Sequence, residues 1–444
     1  MGRRLLLIEV HTVMNKTITL QSVKPNNLIY RECEDLCVIS KQLYNVGLYE
    51  LRQALFNNNE FLNYKVLYQE MKNNENWTAL PRKISNKVWM QVTGSWSHWL
   101  KSLKEYKNTP SKFTGRPRLP KYNKSLNIVT YEQGALGTKG LPENQIRLSK
   151  TNIILDTSLI GGQVKEVKII PKNSHFLIKV TYTEEMRNND LDYSKIAGID
   201  LGLNNLVTVA TNQADIQPRM VNGRPLKSIN RRWNKQKTKL QSKLKKDIFN
   251  SHQIKKLTEK RNHQVDTYLH IASRMLVNWL VKNNIGTLII GKNLQWKTGI
   301  KIGKRNNQNF VQIPHTRLIE LVKYKFEQEN GIVVVNEESY TSKASALDLD
   351  EIPTFSKRRN QKYDFSGKRV KRGLYKTLQG LLINADLNGA LNIIIKVAKN
   401  SLDDLVSDKQ FIHHCATPKF FYMWHTNEIT KSHFFCNCKI CPTK

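Results

Sequence analysis

Apolar residues recur along this chain in two rhythms, and the change of rhythm divides it. Between residues 31 and 108 they fall three or four apart: Leu43, Val46, Leu48, Leu51 and Leu55, then Val88, Val92, Trp96, Trp99 and Leu103 after Pro81. That spacing lines up one face of successive helices, with polar breaks at Asn57–Asn59 and Asn73–Asn76. The aromatic stripe reads as helix core rather than as a base-stacking surface. Residues 12–30 and 125–190 instead carry short apolar or alternating runs (NIVTYEQ, QIRLSK, NIILDTS, VKEVKIIPK, HFLIKVTYTEE) split by turn residues. These predict the strands of a small antiparallel barrel. The helical stretch then reads as an insertion into that barrel, reached through the basic, Pro- and Gly-containing loop 109–124.

From Asp192 the pattern turns to mixed α/β. Strands around 196–210 precede a basic helical hairpin at 228–283, a strand at 286–291, a helix at 314–329, a strand at 332–336 and a helix at 386–397. This order fits a ribonuclease-H-like sheet with helices around it. Residues 343–376 interrupt it with a polar, basic excursion lacking a core pattern, which suits a lid. The tail 399–444 has no readable pattern beyond an aromatic group at Phe420, Phe421, Tyr422 and Trp424.

The polar positions that stand out against this pattern are acids. In IAGIDLGLNNLVTVATN (196–212) an apolar strand delivers Asp200 to a Gly-linked hairpin, where a lone carboxylate is costly to desolvate without a cation or partner. A turn cap is the plainer role for it. GIVVVNEESYTS (331–342) ends a strand with Glu337 and Glu338, and LINADLNGALNIIIK (382–396) places Asp386 at the start of a helix, where it also suits an N-terminal cap. Three carboxylates converging on a sheet edge would hold two hard divalent cations, magnesium or manganese. Such a pair activates water and stabilises the leaving oxygen of a phosphodiester.

Charge points to the same substrate. Lys and Arg number 71 against 36 Asp and Glu, a formal net charge of +35, which is too basic for an ordinary metabolic enzyme and calls for a polyanion. Dense runs lie at Arg231–Lys246, Lys255–Arg261 and Lys357–Arg372. Beside a carboxylate cluster they are better explained by phosphate contacts than as solvated faces. No apolar stretch is long enough to span a bilayer, and the opening MGRRLLLIEVHTV is broken by Glu9 and His11 with no small-residue cleavage site following, so no membrane or secretory role is expected. Cys33 and Cys37 read as buried thiols. Cys436, Cys438 and Cys441 with His433 are spaced too tightly for the usual paired zinc arrangement.

The segments GIDLGLNNLVTV, IIGKNLQWK, IGKRNNQNFVQIPH, VNEESYTSK, GKRVKRGLY and INADLNGALNI, in this order, resemble the TnpB family of transposon-encoded RNA-guided nucleases, related to compact type V CRISPR effectors. LYNVGLYELRQALF, LPRKISNKVWMQV and RPRLPKY extend the likeness into the amino-terminal lobe. The resemblance implies an α/β ribonuclease-H-like (RuvC) nuclease domain plus an amino-terminal lobe of small antiparallel β-barrel with an inserted helical domain. It gives residues 1–30 and 109–191 to the barrel, 31–108 to the helical recognition domain, 192–342 and 377–398 to the nuclease domain, 343–376 to a basic lid and 399–444 to a tail.

The implied activity is guide-RNA-directed cleavage of double-stranded DNA beside a short flanking motif, with the displaced single strand entering the same site. The setting implied is the nucleoid of a prokaryotic cytoplasm. Asp200 and Asp386 match the family's first and third catalytic acids. The second usually follows the strand that here reads TLIIGKNLQWK without an acid, so the chain resembles a branch in which it has moved to EESYTS. Strand alternation sends Glu337 and Glu338 to opposite faces; Glu338 is favoured as the metal ligand, with Glu337 the alternative. Ala344 stands where many members have a zinc-ribbon cysteine, so structural zinc is not expected. Nucleic-acid contacts are expected from Arg231, Arg232, Lys235, Lys304, Arg305, Lys368, Arg369, Lys371 and Arg372. The departures from the family pattern also suit a nuclease-inactive RNA-guided DNA-binding repressor.

Overall fold

The computed structural model describes residues 13–157, 164–292, 312–354 and 363–422. They fold as two compact units, Met1–Glu185 and Met186–Lys444.

The first unit runs β1 (Val13–Val23), α1 (Tyr30–Asn58), α2 (Tyr64–Met71), α3 (Glu75–Ala79), α4 (Arg82–Asn108), β2 (Val129–Glu132), β3 (Leu136–Gly137), β4 (Gln145–Leu148), β5 (Ile154–Asp156), β6 (Val164–Pro171) and β7 (Phe176–Glu185). The Asn-rich breaks between helices are their caps. Asn63 accepts hydrogen bonds from the amides of Lys65 and Val66 at the start of α2, and Asn74 accepts one from Asn76 at the start of α3. Trp89 and Trp96 are buried in the helical core, which is where the periodicity puts them. The strands form an antiparallel sheet in the order β1-β7-β6-β2 and a separate sheet β3-β4-β5. One barrel was expected; among the described residues the larger sheet is open, because the four-residue β2 pairs with β6 alone.

The second unit runs β8 (Asp192–Asp200), β9 (Asn205–Thr211), β10 (Arg219–Asn222), α5 (Arg224–Gln241), α6 (His252–Lys282), β11 (Ile285–Gly291), α7 (His315–Gln328), β12 (Ile332–Asn336), β13 (Lys368–Lys371), β14 (Leu374–Lys376), β15 (Leu382–Asn384), α8 (Ala385–Val397), α9 (Lys409–Ala416) and β16 (Lys419–Phe420). Its main sheet has the order β12-β11-β8-β9-β10-β16. β8, β9 and β10 are antiparallel, whereas β11 and β12 run parallel to β8. From Leu206 to Thr211 every residue of β9 is buried, as a strand covered on both faces requires. Ile199, Val207, Val209, Leu288 and Ile290 pack with Leu269 and Leu276 of α6 and with Leu321 and Phe326 of α7. Ala210 turns instead to a second cluster with Ala390, Leu391 and Ile394 of α8.

Gly198 of β8 lets α8 approach the sheet. A Cβ there would stand 2.4 Å from the backbone oxygen of Ala390 and 2.6 Å from Ile394 Cγ1. The backbone oxygen cannot yield cheaply, so Gly198→Ala should cost about 1–3 kcal/mol. Chemical denaturation checks this, and an unchanged midpoint would show that α8 has room to move.

Two stretches differ from expectation. The region expected as a coreless excursion buries Ala344, Ala346, Leu347 and Tyr375, the last on β14 of a small sheet β13-β14-β15. Part of the tail also folds: Leu402, Phe411 and Cys415 are buried, and β16 adds a parallel edge strand beside β10. Trp424, His433, Cys436, Cys438 and Cys441 lie outside the described residues. No helix among the described residues is long and apolar enough to cross a membrane.

Candidate active site

Asp200 is the last residue of β8. It faces Thr208 across β9, and its predecessor Ile199 pairs with Ile290 of β11. The next position on β11 is Gly291, whose missing side chain shapes the site. A Cβ there would lie 2.8 Å from Glu338 Oε2 and 2.5 Å from Ile393 Cδ1. Glu338, from the loop after β12, thus fills the space above the β11 position that carries no acid. On the other side, a Cβ at Gly389 of α8 would lie 3.1 Å from Asp200 Oδ2. Two glycines clear the ground on which two carboxylates sit.

Asp386 is released from the capping role the sequence allowed it. Asn384 caps α8, its Oδ1 accepting hydrogen bonds from the amides of Asp386 at 3.0 Å and Leu387 at 3.1 Å. The Asp386 carboxylate is therefore left for other partners. Asn205 Nδ2 donates to Oδ2 at 2.8 Å, and Arg369 Nη2 of β13 lies 3.4 Å from Oδ1.

The electrostatics show how closely the acids share one region. Burial first, then the charges of Glu338 and Asp386, push the Asp200 carboxyl up to about 8, against the opposing pull of Arg369. Burial and then Glu337 push Glu338 up to about 7. Glu337 behaves in the opposite way: burial pushes it up, but hydrogen bonds from Lys396 and Ser339 outweigh this and hold it below the usual range. Lys396 Nζ donates to Glu337 Oε2 and, at 3.0 Å, to the Ser339 carbonyl. The two glutamates are thus separated, Glu338 toward Asp200 and Glu337 toward Lys396. Strand alternation is not the cause, because β12 ends at Asn336 and both glutamates belong to the loop.

The donor set fits hard cations: oxygen ligands, concentrated negative charge and a cradle that a Cβ at Gly291 or Gly389 would fill. Among the described residues, no three His, Cys, Asp or Glu side chains stand as a ready metal-holding group. Asp386 is the outlying member, turned to Asn205 and Arg369.

The basic residues expected to meet nucleic acid divide by position. Arg231, Arg232 and Lys235 are exposed on α5, and Lys368, Arg369, Lys371 and Arg372 are exposed on β13 and the turn after it. Lys304 and Arg305 lie outside the described residues. Sequence reading missed Asn205 and Lys396, the polar partners of the acids; a lysine closing an apolar helix run was the visible signal for the second.

Residues 178–297 match the model of the OrfB_IS605 family, described as a probable transposase. The match spans Asp200 and Gly291 and ends before Glu338 and Asp386. No curated protein matches the chain. Among solved structures, the Cas12f1–sgRNA–target DNA complex aligns over 82% of this chain and 82% of its own, with 18% identity and a TM-score of 0.51. A CRISPR-Cas12f ternary complex aligns over 82% of this chain and 80% of its own at 14% identity and a TM-score of 0.34. The mini-RNA-guided endonuclease CRISPR-Cas_phi3 aligns over 86% and 92% at 10% identity and a TM-score of 0.39. The first of these shows a fold shared with the Cas12f1 chain. Residues 178–297 thus carry a likeness to the OrfB_IS605 family of probable transposases, and the motif GIDLGLNNLVTV lies within that stretch.

Proposed function

We propose that this protein is an RNA-guided DNA endonuclease that cuts double-stranded DNA beside a short flanking motif, by two-metal phosphodiester hydrolysis at Asp200, Glu338 and Asp386. The observation that supports this reading is that Glu338 sits over Gly291 beside the end of β8, where its charge and that of Asp386 both raise the Asp200 carboxyl, in a chain of net charge +35. Bound there, two magnesium or manganese ions would supply an activated water and stabilise the leaving oxygen. Asp200 and Glu338 are the inner donors. Asp386, its side chain 29% exposed, is the outer one.

The other parts follow from charge and fold. Lys368, Arg369, Lys371 and Arg372 contact nucleic-acid backbone without reading sequence. The Cas12f1 structure that shares the fold is a complex with sgRNA and target DNA. By that likeness the partners here are a guide RNA, duplex DNA and the displaced single strand, with base pairing supplying sequence choice.

Replacing Lys368, Lys371 and Arg372 by Gln tests the nucleic-acid surface. DNA affinity should fall, and the slope of log affinity against log salt should shrink by roughly one for each phosphate no longer neutralised. Anisotropy titrations over a salt series measure it. An unchanged slope would place β13 away from the nucleic acid.

A further inference from the structure

α8 does more than carry Asp386. Along one stripe, at intervals of four residues, it presents Asn388, Asn392 and Lys396, polar side chains in a helix whose remaining residues, apart from Asp386 and Gly389, are Ala, Leu, Ile and Val. Both asparagines are fully buried, and the Lys396 side chain is 7% exposed. All three grip one segment, the loop that leaves β12. Lys396 holds its start through Glu337 Oε2 and the Ser339 carbonyl. Asn392 Nδ2 donates to the carbonyls of Thr341 at 2.8 Å and Ala344 at 2.7 Å. Asn388 Nδ2 donates to Ala344 O at 2.7 Å, while its Oδ1 accepts from the Ala346 amide at 3.0 Å. Glu338 lies inside the gripped segment, and its carbonyl accepts from Thr341 Oγ1 at 2.9 Å.

The same helix meets Asp200 on its Gly389 side. α8 is thus a common reference for all three acids: Asp386 is part of it, Asp200 touches it, and Glu338 is tied to it by the stripe. Glu338 needs such a tie because, unlike Asp200, it lies beyond the end of its strand and has no ladder to fix it.

We propose that Lys396, acting through Glu337 and together with Asn392 and Asn388, is a positioning residue that holds the 337–346 loop so that Glu338 turns toward Asp200. This rests on the nuclease reading above. Glu337 is then the strut and Glu338 the ligand, two adjacent glutamates with separate work. Supporting groups of this kind typically change metal affinity or activity by about 10–100-fold when removed.

The test uses the full-length protein carrying Lys396→Met, Glu337→Gln or the double exchange Lys396→Glu/Glu337→Lys. Mn²⁺ affinity is measured by calorimetry, the fold is checked by near-UV circular dichroism, and hydrogen exchange is followed at the amides of residues 337–346. Lys396→Met should stay folded, bind Mn²⁺ about 10–100-fold more weakly and lose protection in that loop. Glu337→Gln keeps an oxygen for Lys396 and should lose less, and the double exchange should recover part of the Mn²⁺ affinity lost by Lys396→Met. Unchanged loop protection in folded Lys396→Met, or native Mn²⁺ affinity together with lost protection, overturns the proposal. If Lys396→Met unfolds, the double exchange decides: a folded protein with Mn²⁺ affinity restored supports the strut, and one with no recovery overturns it. If the parent protein binds no Mn²⁺, the metal reading of the site fails, while loop protection still decides whether the strut exists.

Discussion

Asp200→Asn should cut no DNA and yet unfold at a higher temperature than the parent protein when both are held in chelator. The two halves of this expectation share one cause. In the folded state the carboxyl keeps its proton up to about pH 8, whereas the unfolded chain releases it near 3.8. The native state therefore binds more protons across that window. The resulting stability is complete below the lower value and is lost as pH rises through the upper one, so by neutral pH most of the favourable protonation has been spent against the ionised unfolded chain. Asparagine removes the titration. At pH 7 the gain should be about 2–4 kcal/mol, after discounting for the part of the carboxyl that solvent reaches.

A divalent cation reverses the order. Mn²⁺ bound only to the native parent raises its melting temperature with concentration, and Asp200→Asn should not respond. Cleavage by the variant should fall by more than the roughly 10–100-fold that supporting residues cost, with DNA binding retained. Melting curves in chelator and in Mn²⁺, beside single-turnover cleavage, check each half separately. A variant that melts lower in chelator would mean that Asp200 is held by a partner rather than crowded by like charges.

The second large effect should separate two neighbours. Glu338→Gln should be inactive, and Glu337→Gln should retain cleavage within about tenfold of the parent. The cause is spatial. Glu338 lies over Gly291 and raises the Asp200 carboxyl, while Glu337 is engaged by Lys396 and Ser339. Glutamine at 338 keeps the shape and removes the anionic donor that a hard cation needs. Glutamine at 337 keeps an acceptor for Lys396. The reverse ranking would exchange the roles of the two residues and leave Gly291 without a part in the site.

How much of this could be read before the fold was known differs residue by residue. Asp200 was legible because a single charge ending an apolar strand is a local anomaly, and one strand suffices to see it. Asp386 was legible as an acid but not as a free one, since the choice between Asp386 and Asn384 as cap depends on where the helix begins by a single residue. The choice between Glu337 and Glu338 was beyond local reasoning. Alternation assigns faces only within a strand, and here the deciding groups are Gly291, on a neighbouring strand, and Lys396, about sixty residues further along the chain.

The large elements follow the same rule. The helices of the first unit, the basic hairpin α5–α6 and the buried β9 declare themselves by periodicity. β13, with the sequence KRVK and every residue exposed, and the two-residue β16 carry no pattern of their own and exist through their partners. The open sheet of the first unit is a question of which edges meet, and short strands with turns between them do not answer it.

The claim that unites the site, the charge and the fold is that guided binding ends in cutting. Its most direct measurement takes the protein purified with the RNA it retains, sequences that RNA, and offers a duplex matched to it together with magnesium. The parent should cleave this duplex and spare a mismatched one, and Asp200→Asn should bind the matched duplex and leave it whole. A parent that binds the matched duplex just as tightly but never cuts it would contradict that claim and make the protein an RNA-guided repressor.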